Sequence, residues 1–106
     1  MDRISRGDIW VVELSAHPKP RPAVVLSINP LNDLCPDVLV VPITSKPGPL
    51  RVEISEGEPA GLKTRSYAKC ESLGPLHRSR LKKKIGRVSR SDFPRIEHGV
   101  RRVLCL

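Results

Sequence analysis

The sequence predicts a mainly β fold, a small and mostly antiparallel barrel or curled sheet that is capped by one C-terminal helix. Three observations predict it. The chain has 106 residues, enough for a single domain that spans residues 1–106. Five or six short segments rich in β-branched residues follow one another, with turn-forming residues between them. Apolar residues recur at helical spacing only near the C-terminus.

The first two predicted strands lie on either side of a proline-rich connector. Asp8–Leu14 and Ala23–Ile28 are rich in β-branched residues. The connector Ser15–Pro22 has three alternate prolines, which fix φ and exclude a helix, so we expect a stiff basic loop. The apolar run Val38–Thr44 predicts a central strand buried on both faces, with Pro42 at an edge or a bulge.

The next segments are shorter. Turn-forming residues at Asn29–Asp37 and Leu73–Leu76 predict connections. Period-two alternation at Arg51–Ser55 predicts a half-solvated strand. Composition predicts two further strands, at Ser66–Ser72 and Lys83–Ser89.

The C-terminal segment has helical periodicity. We expect Ser91 to be the N-cap, and Pro94 at the third helical position has no intrahelical hydrogen bond to lose. Gly99 weakens the helix interior by about 1 kcal/mol. An earlier glycine, Gly86, is expected at a bulge or a close backbone approach. The apolar face of the helix consists of Phe93, Ile96, Val100, Val103 and Leu104.

The charge of the chain points to an anionic partner. Nineteen Lys and Arg against eleven Asp and Glu leave a formal net charge of +8. A polyanion or an acidic protein is the expected partner. Trp10, Tyr67 and Phe93 are the only aromatic residues, which excludes a nucleic-acid surface built from rows of stacked rings.

Seven of these cations lie between His77 and Arg90, with no acidic residue among them. Such density is typical of a phosphate-binding surface. It is equally typical of an edge strand that lysines protect from aggregation. The seven are Arg78, Arg80, Lys82, Lys83, Lys84, Arg87 and Arg90.

The expected cellular location and the expected absence of a metal both follow from features that the sequence lacks. The N-terminal segment has no signal-like apolar run and no segment is long enough to span a membrane, so we expect a cytoplasmic protein without membrane contact. Cys35, Cys70 and Cys105 are odd in number and far apart, which favours reduced thiols. The three histidines form no paired ligand motif, so we expect neither a metal nor another cofactor.

Five segments in order resemble the MazF/PemK (Kid) family of toxin endoribonucleases. This resemblance implies an SH3-like barrel of the CcdB/PemK type in each subunit of a homodimer. It also implies sequence-specific, metal-independent cleavage of single-stranded RNA to 2′,3′-cyclic phosphate and 5′-hydroxyl ends, and inhibition by an acidic antitoxin. The segments are RGDIWVVEL (Arg6–Leu14), RPAVVLS (Arg21–Ser27), VVPITS (Val40–Ser45), KCES (Lys69–Ser72) and SRLKKKIGRVS (Ser79–Ser89).

Two residues carry the predicted active site. Cleavage through the 2′-hydroxyl of RNA requires a base, an acid and donors that stabilise the charged phosphorane. Arg21 offers a planar fork of donors for phosphate oxygens and is assigned to charge stabilisation. Thr44 matches the active-site threonine of the family, with Ser45 beside it. Taken without the resemblance, Arg21 also fits a surface ion pair and Thr44 an ordinary strand-end hydroxyl.

The sequence offers more than one candidate for the general base. Lys69 and Glu71 match basic and acidic catalytic positions of PemK-like members, and their spacing places them on one strand face. Glu71 is a candidate base if burial raises its pKa; otherwise it pairs with Lys69. The connector is short and lacks the Glu-Gln pair that many members have before Arg-Pro. His17 in the connector is the natural substitute as base or acid.

The remaining candidates contact RNA, or play no part in cleavage. His77 is a weaker candidate than His17, and we expect His98 to play no part. A non-catalytic module of the same fold, either a CcdB-like enzyme poison or an RNA-binding protein, is the alternative function. The predicted RNA-binding residues are Lys19, Ser45, Lys69, Arg78, Arg80, Lys82 and Lys83.

Overall fold

The computed structural model describes residues 3–15 and 19–106 and confirms the predicted mainly β fold with a C-terminal helix. Short 3-10 turns lie at Cys70–Ser72 and Arg78–Arg80. No helix in the described part of the chain is long and apolar enough to cross a membrane. The other elements are β1 (Asp8–Val12), β2 (Arg21–Val25), α1 (Asn29–Leu34), β3 (Asp37–Thr44), β4 (Val52–Ile54), β5 (Ser66–Ala68), β6 (Gly74–His77), β7 (Leu81–Arg87) and α2 (Phe93–Leu104).

Strand β3 lies at the centre of the sheet, as predicted. The strand order is β4-β5-β3-β2-β1-β7, and β6 also pairs with β3. Along one side β3 pairs with β2, and along the other it pairs first with β6 and then with β5. Pro42 lies where the partner changes from β6 to β5, and its carbonyl accepts a hydrogen bond from the Lys69 amide at 2.8 Å. Although Pro42 has no N–H to donate, neither β6 nor β5 loses a hydrogen bond at this position.

The two faces of the curled sheet bury separate core clusters, because successive side chains of a strand point to opposite faces. Val41 packs in the first cluster with Ile96 of α2. Its neighbour Val40 packs in the second cluster with Leu76 of β6. The central strand is therefore buried on both faces at these two positions, although Leu39 is exposed.

Helix α2 begins at Phe93, and the expected N-cap Ser91 is wrong by one residue. Asp92 occupies the N-cap position but makes no side-chain cap bond. Its carboxylate accepts hydrogen bonds from the Ser55 amide at 3.0 Å and from Arg95 at 3.1 Å. The start of the helix is thus fixed by a contact with the segment after β4, which local sequence does not show. Pro94 lies at the second helical position, within the first turn.

Gly86 fulfils both of its predicted roles. The β1–β7 register shifts beside it, so that Ile85 is an extra residue in the ladder. A Cβ atom at this position would lie 2.3 Å from the carbonyl oxygens of Pro59 and Ala60. The loop after β4 therefore packs directly on the backbone of β7.

Several predicted elements take another form. Asn29–Asp37 is not only a connection, because it contains α1, whose buried Asn32 donates a hydrogen bond to the Ser27 carbonyl at 2.9 Å. The predicted turn Leu73–Leu76 is mostly strand β6, which forms because it pairs with β3. The predicted strand Ser66–Ser72 ends at Ala68 and continues as a 3-10 turn. Among the other strands, β1 ends two residues earlier than predicted, and β2 and β7 begin two residues earlier.

Candidate active site

A groove of about 530 Å³ opens where β2 begins and β3 ends. Its lining contains four cationic side chains and four hydroxyl groups, and no carboxylate among the described residues. Such a groove favours a ligand with several negative charges. The lining residues are Leu14, Ser15, Arg21, Pro42, Ile43, Thr44, Ser45, Lys46, Arg51, Lys69, Ser72, Pro75 and Leu76.

The sheet brings Arg21 and Thr44 into this groove from adjacent strands. Arg21 is the first residue of β2 and Thr44 the last residue of β3. Ala23 pairs with Pro42, so the same antiparallel register continued by two residues places Arg21 across from Thr44. The two residues therefore occupy neighbouring positions in the groove lining.

Among the described residues, the Thr44 hydroxyl accepts a hydrogen bond but donates none. Its Oγ1 accepts a hydrogen bond from the Lys46 amide at 3.2 Å. A hydroxyl that accepts one bond still has its O–H to donate. Thr44 can therefore donate to an anionic oxygen that lies in the groove, with Ser45 beside it in the lining.

The segment after β5 also contributes to the groove lining. Lys69 lines the groove, and its amide donates to the Pro42 carbonyl at 2.8 Å, which fixes its position against β3. Glu71 does not line the groove. The prediction that Lys69 and Glu71 share a strand face is wrong, because the strand ends at Ala68 and the chain turns at Cys70.

The Glu71 carboxylate is paired, but with Arg51 rather than with Lys69. The Arg51 Nε donates to Glu71 Oε2 at 3.1 Å. Desolvation raises the pKa of Glu71, but a backbone hydrogen bond, the hydrogen bond from Arg51 and the charges of Arg51 and Lys69 together lower it below its usual value. The raised pKa that a base at this position requires is therefore absent, and Glu71 is ionised at neutral pH.

Apart from Ser45, sequence reasoning missed the groove residues of the loop between β3 and β4. Lys46 and Arg51 line the groove, as does Ser72 from the 3-10 turn after β5. The loop sequence KPGPLR contains a signal that would have found the two cations. The prolines and the glycine that follow Lys46 predict a tight turn, which returns the chain beside the end of β3.

Other predicted RNA-binding cations are used elsewhere in the fold. The Arg78 guanidinium donates to the carbonyls of Asn32 and Cys35, the latter at 2.7 Å, and so caps the C-terminal end of α1. Arg80 donates to the Glu13 carbonyl at 3.5 Å, and the Lys82 Nζ lies 3.5 Å from the Glu13 carboxylate. None of these three cations lines the groove.

The two remaining predicted cations are exposed, and both lie outside the groove lining. Lys83 is on β7, which is an edge strand of the sheet. This position fits the alternative in which lysines protect an edge from pairing with another chain. Lys19 lies in the connector, two residues before β2.

The histidines have separate surroundings. His17 lies outside the described residues. The residues Ser15 and Arg21, on either side of its segment, both line the groove. His77 accepts a hydrogen bond from the Ser79 amide at 3.1 Å and caps the second 3-10 turn, and His98 is exposed on α2.

The groove has the donors that phosphate chemistry requires. Arg21 and Lys69 supply positive charge, and Thr44 supplies an O–H donor. Within residues 3–15 and 19–106, no group of three or more His, Cys, Asp or Glu side chains is placed to hold a metal ion. The arrangement can bind a phosphodiester and stabilise added charge on its oxygens.

Comparisons with known proteins give one matching family model and several solved structures with the same fold. The family model described as PemK-like, MazF-like toxin of type II toxin-antitoxin system matches residues 5–104. An endoribonuclease solved in complex with its cognate antitoxin, from a mycobacterial species, superposes with a TM-score of 0.84 at 22% identity, covering 100% of this chain and 97% of its own. The Mycobacterium tuberculosis toxin MazF-mt6 gives a TM-score of 0.81 at 22% identity, covering 93% and 97%. MazF from Deinococcus radiodurans gives 0.82 at 18% identity, covering 100% of both chains.

Proposed function

The chain belongs to the PemK-like, MazF-like toxin family of type II toxin-antitoxin systems, and from this we propose that it is a metal-independent endoribonuclease specific for single-stranded RNA. The observation that carries the proposal is the groove in which Arg21 and Thr44 lie together among cations and hydroxyls. Endoribonuclease is also the description of a solved relative with this fold.

The proposed reaction is a transesterification within the RNA. The 2′-oxygen attacks the adjacent phosphorus and loses its proton to a base, while the bond to the 5′-oxygen breaks and that oxygen gains a proton. The products are a 2′,3′-cyclic phosphate and a 5′-hydroxyl, and no water is consumed. Arg21 and Thr44 donate to the nonbridging oxygens, whose charge increases in the transition state. Lys69 binds the neighbouring part of the RNA backbone.

His17 is the proposed base or acid of this reaction. Imidazole accepts and donates protons near neutral pH. Its segment starts after Ser15 and ends before Arg21, and both of these residues line the groove. Glu71 is ionised, but it lies outside the lining and is paired with Arg51, so its proposed role is to support that residue.

The proposed partners follow from family membership and charge. The net charge of +8 and a groove lined by cations attract an acidic antitoxin segment, which would inhibit the enzyme by occupying the RNA site. We further propose that the protein is a homodimer that acts in the cytoplasm, where single-stranded messenger RNA is exposed.

The test is cleavage of a 5′-labelled single-stranded RNA by the purified protein in EDTA. We expect products with cyclic phosphate ends, and Arg21→Ala and Thr44→Val should each slow cleavage by about 100- to 1,000-fold. Arg65→Ala is the matched control, because Arg65 is an exposed cation paired with Glu53 at 3.5 Å and does not line the groove. Intact RNA with retained binding would support the non-catalytic module instead.

A further inference from the structure

Arg51 is fixed in the wall of the groove by contacts on several sides. Its Nε donates to Glu71 at 3.1 Å and its Nη1 donates to the Lys46 carbonyl at 2.9 Å. The side chain is only 19% exposed. A Cβ atom on Gly48 would lie 3.0 Å from its Cδ and Nε atoms, so the glycine allows the side chain to pack across the loop. Little conformational entropy remains for a ligand contact to remove.

The fixed guanidinium keeps a fork of donors. A guanidinium has five N–H groups, and the described contacts of Arg51 use one on Nε and one on Nη1. One N–H on Nη1 and two on Nη2 therefore have no acceptor among the described residues. Two donors on adjacent nitrogens match a ligand edge that presents two acceptors side by side.

The charge of the Glu71 carboxylate determines whether a charged or a neutral acceptor suits this fork. It neutralises the charge of Arg51 at 3.1 Å, so the pair adds little net attraction for a phosphate. Arg21, Lys46 and Lys69 are the groove cations that have no ion-pair partner among the described residues. We therefore expect the phosphates of the RNA backbone to bind these three cations, whereas the Arg51 fork suits the neutral edge of a base.

We infer that Arg51 determines specificity by donating from its two terminal nitrogens to N7 and O6 of a guanine next to the scissile phosphate. This inference rests on the proposed function. Paired donation from arginine to O6 and N7 is the commonest specific contact to guanine. Bases of single-stranded RNA expose this edge when they are unstacked. Glu71 is then a positioning residue, which holds the guanidinium at the angle that the base requires.

The experiment measures kcat/KM on short RNAs that differ only at the bases flanking the cleaved bond. We expect guanine at one flanking position to be preferred about five- to 100-fold over the other bases. Replacing that guanine by 7-deazaguanine, which lacks N7, should remove most of the preference in the unmodified protein. Arg51→Lys keeps the charge but not the fork, and it should reduce the preference to about twofold or less. Arg65→Lys is the matched control and should leave the preference unchanged.

The outcomes separate this inference from the proposed function. Absence of any RNA cleavage would refute both. Cleavage without a guanine preference, or a preference that survives 7-deazaguanine and Arg51→Lys, would refute the role of Arg51 alone. An equal loss on all substrates in Arg51→Lys would instead assign Arg51 to the phosphate and would also overturn the inference. The 7-deazaguanine result needs no variant, so it does not depend on how well Arg51→Lys folds.

Discussion

Gly99 of α2 tests how tightly the helix is packed against the turn that carries one wall of the groove. A Cβ atom built on Gly99 lies 2.8 Å from the Sγ of Cys70 and 3.0 Å from the Cγ2 of Val52. Cys70 is fully buried and belongs to the 3-10 turn that follows Lys69. Gly99→Ala therefore forces either the turn or the helix to move.

Two effects oppose each other in this substitution. Alanine stabilises a helix interior by about 0.8–1.0 kcal/mol relative to glycine. Adding a methyl group to a well-packed core costs about 1–3 kcal/mol. The contact with Sγ is below 3.0 Å and the cysteine side chain is short, so we take the upper half of that range. Gly99→Ala should thus destabilise the protein by about 1–2 kcal/mol, or lower its Tm by roughly 4–12 °C.

A double-mutant cycle identifies the cause of the loss. Cys70→Ala removes the clashing sulfur, so Gly99→Ala in that background should be close to neutral or stabilising. The measurement is urea unfolding followed by circular dichroism, with the exposed His98→Ala in the same helix as the control. If Gly99→Ala alone stabilised the protein by the full helix-propensity gain, the packing argument would be refuted.

Three further results are expected. Gly86→Ala should cost at least about 3 kcal/mol in urea unfolding, because its Cβ would lie 2.3 Å from two backbone carbonyl oxygens, and a loss below 1 kcal/mol would contradict this contact. A backbone hydrogen bond and the pairing with Arg51 lower the pKa of Glu71, so these contacts of its carboxylate stabilise the fold above the usual pKa of 4.5. This contribution disappears as the pH falls through the lowered value. The stability difference between the unmodified protein and Glu71→Gln should therefore shrink on acidification, and a difference that grew would have the wrong sign. Arg78→Ala should lower the Tm by several degrees through loss of the α1 cap while RNA affinity changes less than about twofold, whereas the exposed Arg80→Ala should change neither; a selective loss of RNA affinity would restore Arg78 to the binding surface.

The sequence determined the elements whose signals are local. The β-branched runs of β1, β2 and β3 and the helical periodicity of α2 need only neighbouring residues to be recognised, and the structure contains all four. Gly86 was also identifiable, because a glycine within a strand pattern indicates a bulge or a close approach. Arg21, Thr44, Ser45 and Lys69 were selected from the ordered segments, and the fold gathers these four in one groove.

Tertiary structure decided the features that depend on residues distant in the chain. Strand β6 exists because β3 offers it a partner, although its own sequence Gly-Pro-Leu-His has the composition of a turn. Arg78 and Arg51 are both arginines near turns, yet one caps a helix and the other lines the groove. Their side chains reach carbonyls and carboxylates that only the folded chain brings near, so no local pattern can distinguish their roles.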